Sequence, residues 1–161
     1  MFRKILVGLE GSDASWRAFR HALDLAKQDR AELWSLCVEE LPRMPATIDE
    51  YQDEDARELA IFELIEAEAR AVAIVEGIEL HTGTARGRPG ERLAEFAARG
   101  AFDLIVAGHR GRHSPLHRLA GTTAEYLVDH APCPVLIERG GDGAKVPLLH
   151  VTAEPRRAGQ R

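Results

Sequence analysis

Apolar positions change their period from segment to segment along this chain, and the changes divide it into alternating strands and helices. Ile5-Leu6-Val7 is a short apolar run ahead of Gly8 and Gly11, which predicts a buried strand entering a tight turn. Ser12 or Asp13 then supplies a helix N-cap. Ala14, Ala18, Phe19, Ala22, Leu23 and Ala26 recur at three- and four-residue spacing until Gln28-Asp29-Arg30 ends the pattern. Leu33–Val38 reads as a second strand. Residues 39–54 contain Pro42 and Pro45 and hold no period, which predicts a long loop.

From Asp55 to Gly77 the period is helical, with Leu59, Phe62, Ile65, Ala69, Val72 and Ala73 on one side, acids and arginines expected on the other, and Gly77 as the stop. Ile78–Thr82 alternates as a half-buried strand, and Gly87-Arg88-Pro89-Gly90 reads as a turn. A third helix turns Leu93, Phe96 and Ala97 inward and stops at Gly100. Asp103–Ala107 is a fourth strand, followed by a loop over Gly108–Ala120. A fourth helix runs from Thr122 or Thr123 to about His130, and Pro132-Cys133-Pro134 leads into a fifth strand, Val135–Ile137.

Short apolar strands alternating with helices imply right-handed crossovers and an α/β, doubly wound parallel sheet covered on both faces. Such sheets bind ligands beyond the carboxyl ends of their strands, where the strand order reverses. The loops after strands one, two and four are therefore the candidate binding edge. One domain is expected over 1–138. Residues 139–161 form a C-terminal extension, opening with Gly140-Gly141-Asp142-Gly143 and flexible at both ends. Within it Val146–Val151 offers a further edge strand or a grip on a partner, Pro147 confining such a strand to an edge.

Composition narrows the picture without redirecting it. The 161 residues are 45% apolar and 29% charged, which suits a globular domain and excludes a largely disordered, collagen-like or coiled-coil chain. No apolar run approaches the roughly 20 residues that span a bilayer. The N-terminus breaks at Gly8 before any signal-peptide core forms, and reads as the first strand of a cytoplasmic protein. Cys37 and Cys133, far apart and within or beside apolar runs, suit small buried thiols better than a disulfide, metal or redox pair. A net charge of −5 argues against a dedicated nucleic-acid binder. The distribution of charge says more: acids crowd residues 49–68, whereas His109–Arg118 holds three arginines and no acid.

That basic stretch lies in the most informative segment, Gly108–Thr123. Gly108 and Gly111, directly after a buried strand, let the backbone approach a ligand and present successive N–H groups, as phosphate cradles do. Gly121-Thr122-Thr123 opens a helix whose free N–H groups and dipole suit a second phosphate contact. The bland alternative is that the glycines make turns and that Arg110, Arg112 and Arg118 are solvated. Neither G-x-x-x-x-G-K-[ST] nor G-x-G-x-x-G occurs in the chain.

The spacing Gly108-x2-Gly111-x9-Gly121-Thr122 resembles the G-x2-G-x9-G-[ST] motif of ATP-binding members of the universal stress protein family. The resemblance extends over Ile5–Ser12, Leu36-Cys37-Val38, Gly87-Arg88-Pro89 and Ala131–Ile137, so it covers about residues 2–138. It implies a Rossmann-like, adenine nucleotide alpha hydrolase-like sheet of order 3-2-1-4-5, with ATP and Mg2+ across the ends of strands one and four. It also implies a homodimer through the last strand. By resemblance, Leu9 and Glu10 lie beside the adenosine, the Val38 backbone bonds the adenine edge, and Ala107 and Gly108 line the ribose and phosphates. Gly111, Gly121, Thr122 and Thr123 hold the phosphates. The family usually has aspartate at the position of Glu10, so here the carboxylate sits about one methylene further out.

Three other patterns are weaker. His109, His113 and His117 recur at every fourth residue, but Gly111 and Pro115 interrupt the helix a zinc site would need, so loop histidines are expected. Ser12 with His21 or Asp24 lacks a nucleophile elbow and reads as a cap. Trp16 and Trp34 read as core or rim packing. Function stays open between three classes: a non-enzymatic or very slowly hydrolysing ATP-binding regulator in stress response, acting through an unidentified protein partner; an ATP-using hydrolase or adenylyl-transferring enzyme; and an interaction module without nucleotide.

Overall fold

The computed structural model describes residues 1–40, 48–109 and 123–139, within which α2 is described from residue 48 and most of its side chains from residue 57. Its elements are β1 (Lys4–Gly8), α1 (Asp13–Asp29), β2 (Glu32–Glu39), α2 (Ile48–Val75), β3 (Leu80–Arg86), α3 (Pro89–Gly100), β4 (Leu104–Gly108), α4 (Thr123–His130) and β5 (Val135–Glu138). All strands are parallel, in the order β3-β2-β1-β4-β5. The expected topology is present.

Alternation along the central strand sorts the core into two layers. Ile5 and Val7 face α1 and α2, packing with Phe19, Ala22, Phe62, Ile65 and Ala69. Leu6 faces the opposite way, with Leu36, Ile105, Leu93, Ala97 and Leu127 of β2, β4, α3 and α4. Ile5, Leu6 and Val7 are fully buried, as expected of a strand covered on both faces. At the amino end of the sheet, Asp103 ties β1 down by accepting from the Arg3 and Lys4 N–H groups at 2.8 and 3.0 Å.

Four expectations are corrected. Residues 48–54, expected in a loop, are helical. Their lack of an apolar period concealed a segment of Asp and Glu, which are favourable in a helix's first turns. The third strand is Leu80–Arg86 rather than Ile78–Thr82. Its residues pair with Leu33–Glu39, a long-range contact that outweighs local alternation. Gly100 does not stop α3. The helix ends through Ala101, in the left-handed region at φ 50°, whose neighbour Phe102 donates its N–H to Ala97. Gly100 is needed because the Phe102 ring folds over it, where a β-carbon would collide. Likewise Pro89 and Gly90 of the expected turn are already α3, with Pro at the start of the helix where its missing N–H costs nothing.

Candidate functional site

Strand order 3-2-1-4-5 reverses direction at β1, so a crevice is expected over its carboxyl end between β2 and β4. The β1–β2 ladder ends where Leu9 donates its N–H to the Leu36 carbonyl at 3.1 Å. Polar groups of a strand alternate sides, so the N–H and C=O of Val38, two residues beyond Leu36, point the same way, into the space past the end of β1. The carbonyl of Glu39, the next residue, faces β3 and accepts from Gly87 at 2.9 Å. On the other wall, His109 donates to the Glu138 carbonyl of β5 at 2.8 Å, so the polar groups of Gly108 turn back toward β1. The Val38 backbone and the end of β4 thus flank one gap.

The floor of the gap is the turn from β1 into α1. Gly11 takes φ 85° there, and Ser12 caps the helix by accepting from the Ser15 N–H at 3.1 Å. Ser12 Oγ also donates to Glu10 Oε1 at 2.8 Å, while the buried Ser15 hydroxyl donates to the Ser12 carbonyl at 2.9 Å. The Glu10 carboxylate is therefore tied to the cap at the positive end of α1. A β-carbon on Gly108 would lie 2.9 Å from the carbonyl carbon and Cβ of Ala14 and 3.0 Å from the Ser15 nitrogen. Only glycine lets β4 close onto the first turn of α1, where Ser12 already takes the Ser15 and Trp16 N–H groups.

Of the residues singled out in the sequence, Leu9, Glu10, Val38, Ala107 and Gly108 meet at this end of the sheet. Leu9 and Ala107 are buried walls rather than open contacts. Thr123 is the first residue of α4. That helix precedes β5 in a right-handed crossover, so its start lies at the same carboxyl end. Gly111, Gly121 and Thr122 lie outside the described residues, as do His113, His117 and the arginines 110, 112 and 118.

Sequence reading missed Ser15 and the pair Glu39–Arg86. Arg86 Nε lies 2.5 Å from Glu39 Oε2, and Glu39 is buried at the carboxyl end of β2. The pairing depends on strand register, which no local pattern displays.

Other candidates resolve into structure. Ser12 is committed to its cap, and the His21 Nδ1 atom lies 2.6 Å from Glu138 Oε2. Among the described residues no three His, Cys, Asp or Glu side chains gather as for a metal. Cys37 is a free, fully buried thiol, pushed up to about 12 by burial and by the nearby Glu66 carboxylate. Cys133 is free too, and partial burial with Asp103 nearby raises it. Trp16 packs in the core, edge-on to Phe19 at 5.7 Å, and Trp34 stacks on His81 at 4.7 Å. No described helix is long and apolar enough to cross a membrane.

The family model described as the universal stress protein family matches residues 1–139. A universal stress protein of Methanocaldococcus jannaschii is 32% identical over 139 residues, covering 85% of this chain and 82% of its own. The structure of the universal stress protein UspA from Lactobacillus plantarum superposes with a TM-score of 0.75 at 30% identity, covering 85% and 97% of the two chains. A universal stress protein solved in complex with cAMP superposes with a TM-score of 0.66 at 26% identity, covering 84% and 96%.

Proposed function

The chain belongs to the universal stress protein family, and from that premise we propose that it is a cytoplasmic adenine-nucleotide-binding regulator that holds ATP in the crevice over β1. The observation that carries this reading is the pair of backbone edges that flank one gap. The N–H and C=O of Val38 match the donor–acceptor edge of adenine, and Gly108, able to close onto the first turn of α1 only as glycine, brings backbone to the opposite wall, where a phosphate would lie. The solved relative with cAMP supports an adenine nucleotide as the class. Gly111, Gly121, Thr122 and Thr123 would complete the cradle in the proposal, and Mg2+, arriving with the nucleotide, would neutralise phosphate charge there.

The same proposal is of binding without efficient turnover, and the engagement of the Ser12 hydroxyl with Glu10 and of the His21 ring with Glu138 supports it. Nucleotide would instead bias the residues after β4, and so a surface that a protein partner reads. The half-buried β5 edge, Val135–Glu138, is the proposed seam of a homodimer. The test is thermal stability against Mg-ATP, with AMP, cAMP and GTP in parallel, since a ligand of the folded state stabilises by RT ln(1 + [L]/Kd). A saturable rise for adenine nucleotides alone supports the reading, and no shift at millimolar concentration would remove it.

A further inference from the structure

α2 is apolar on two opposite sides. Phe62, Ile65, Ala69, Val72 and Ala73 face the sheet and are buried. Ala60, Leu64, Ala67, Ala71 and Ile74 fall at alternating four- and three-residue spacing on the opposite side, with Val75 beside them. All are exposed, and the large ones strongly so: Leu64 at 72%, Ile74 at 74% and Val75 at 78%. From Ala60 to Ile74 the stripe runs about 21 Å at the helical rise of about 1.5 Å per residue. A solvent-facing helix needs only one apolar side, so the second is unaccounted for among the described residues.

Two further features say what would cover it. The helix carries nine acids against Arg57 and Arg70, and over the span of the stripe, residues 60–75, Glu63, Glu66 and Glu68 stand against Arg70 alone, so the excess is negative there too. A second copy of α2 would bring the same excess against it, whereas a cationic helix would be drawn in and its apolar side seated. At the C-terminal end the stripe meets a groove of about 410 Å³, lined in part by Arg70, Ile74, Ile78 and Trp34. That groove offers a partner concave surface beyond the helix face itself. We infer that the outer face of α2 is a docking site for a basic amphipathic helix of another protein, read through Leu64, Ala67, Ala71 and Ile74. This surface lies on the outer side of α2, its groove at the amino end of β3 and β2, whereas the nucleotide crevice lies past the carboxyl end of β1, and it does not depend on nucleotide binding.

The experiment uses the full chain and a fluorescent 21-residue helical peptide of Leu, Ala and Lys, its Leu and Ala at heptad core positions and Lys elsewhere. Controls are a peptide of the same composition scrambled to destroy the stripe and one with Glu for Lys. Anisotropy should show the patterned cationic peptide binding at least tenfold more tightly than either control, with hydrogen-exchange protection along α2, with and without Mg-ATP. The double variant L64D/I74D should weaken binding at least tenfold while its melting temperature stays near that of the parent, because both side chains are already exposed. Equal binding of patterned and scrambled peptides, or full binding by L64D/I74D, would overturn the inference. So would sedimentation showing a dimer that L64D/I74D abolishes, because a second copy would then own the face.

Discussion

Replacing Gly108 by alanine tests the claim that β4 closes directly onto α1. The added methyl carbon would stand 2.9 Å from two atoms of Ala14 and 3.0 Å from the Ser15 nitrogen. Ordinary carbon contacts begin near about 3.5 Å, so strand and helix must part by roughly half an ångström or more. Two of the three obstructing atoms are backbone of a helix whose Ala14, Ser15 and Ala18 are buried, so no side-chain rotation relieves the clash. Overpacking of this kind costs about 1–3 kcal/mol, which for a domain of this size lowers the melting temperature by about 2–12 °C. Gly83→Ala is the matched control: its β-carbon would meet Leu36 and Phe96 side-chain atoms at 3.4 and 3.6 Å, ordinary contact, and alanine lowers the entropy of the unfolded chain. Scanning calorimetry should therefore show G108A melting lower and G83A unchanged or higher. Under the proposed function, G108A should also lose its ATP-induced rise at temperatures where it is still folded. If G108A melted within a degree of the parent, the close approach of β4 to α1 would be refuted.

Further outcomes follow from the same structure. At pH 8 a thiol with a pKa of about 12 is ionised on the order of one part in ten thousand, so a disulfide reagent should leave Cys37 unlabelled until denaturant is added; rapid native labelling of Cys37 would contradict its burial. The same shift means that native stability is intact below the ordinary thiol pKa and declines as pH rises above about 9, where only the unfolded chain ionises, and Cys37→Ala should flatten that decline in urea melts. Burial alone would raise the Asp103 carboxyl, but the N–H bonds from Lys4 and Arg3 and the charge of Arg3 outweigh it and hold the group below its usual range. Its contribution is thus present above about pH 4 and fades as pH falls further. Asp103→Ala should cost about 1–2 kcal/mol at pH 7 and less at pH 3 in denaturant titrations. Ser12→Ala removes the cap of α1 and the partner of Glu10, for a loss of about 1 kcal/mol by chemical denaturation.

Much of the candidate site could be read before any coordinates, because its ingredients are local. Gly108 after an apolar strand, Ser12 ahead of a helical period and Thr123 at the start of another each announce themselves within a few residues. What they do to one another is not local. That Gly108 presses on Ala14, that Glu10 is held by Ser12 and that Glu39 finds Arg86 depend on packing across the sheet and on strand register.

The sequence by itself determined the alternation of five strands and four helices, hence the parallel doubly wound sheet, because period and glycine placement are short-range properties that the chain expresses alone. Only the tertiary structure decided where β3 begins, since Leu80–Arg86 owes its limits to pairing with β2 and not to its own alternation. It also decided why Gly100 is a glycine, the Phe102 ring being the cause. And it corrected the outer side of α2: the period already put Phe62 on the core side, but the opposite side, expected to hold acids and arginines, also carries exposed Leu64, Ala67, Ala71 and Ile74.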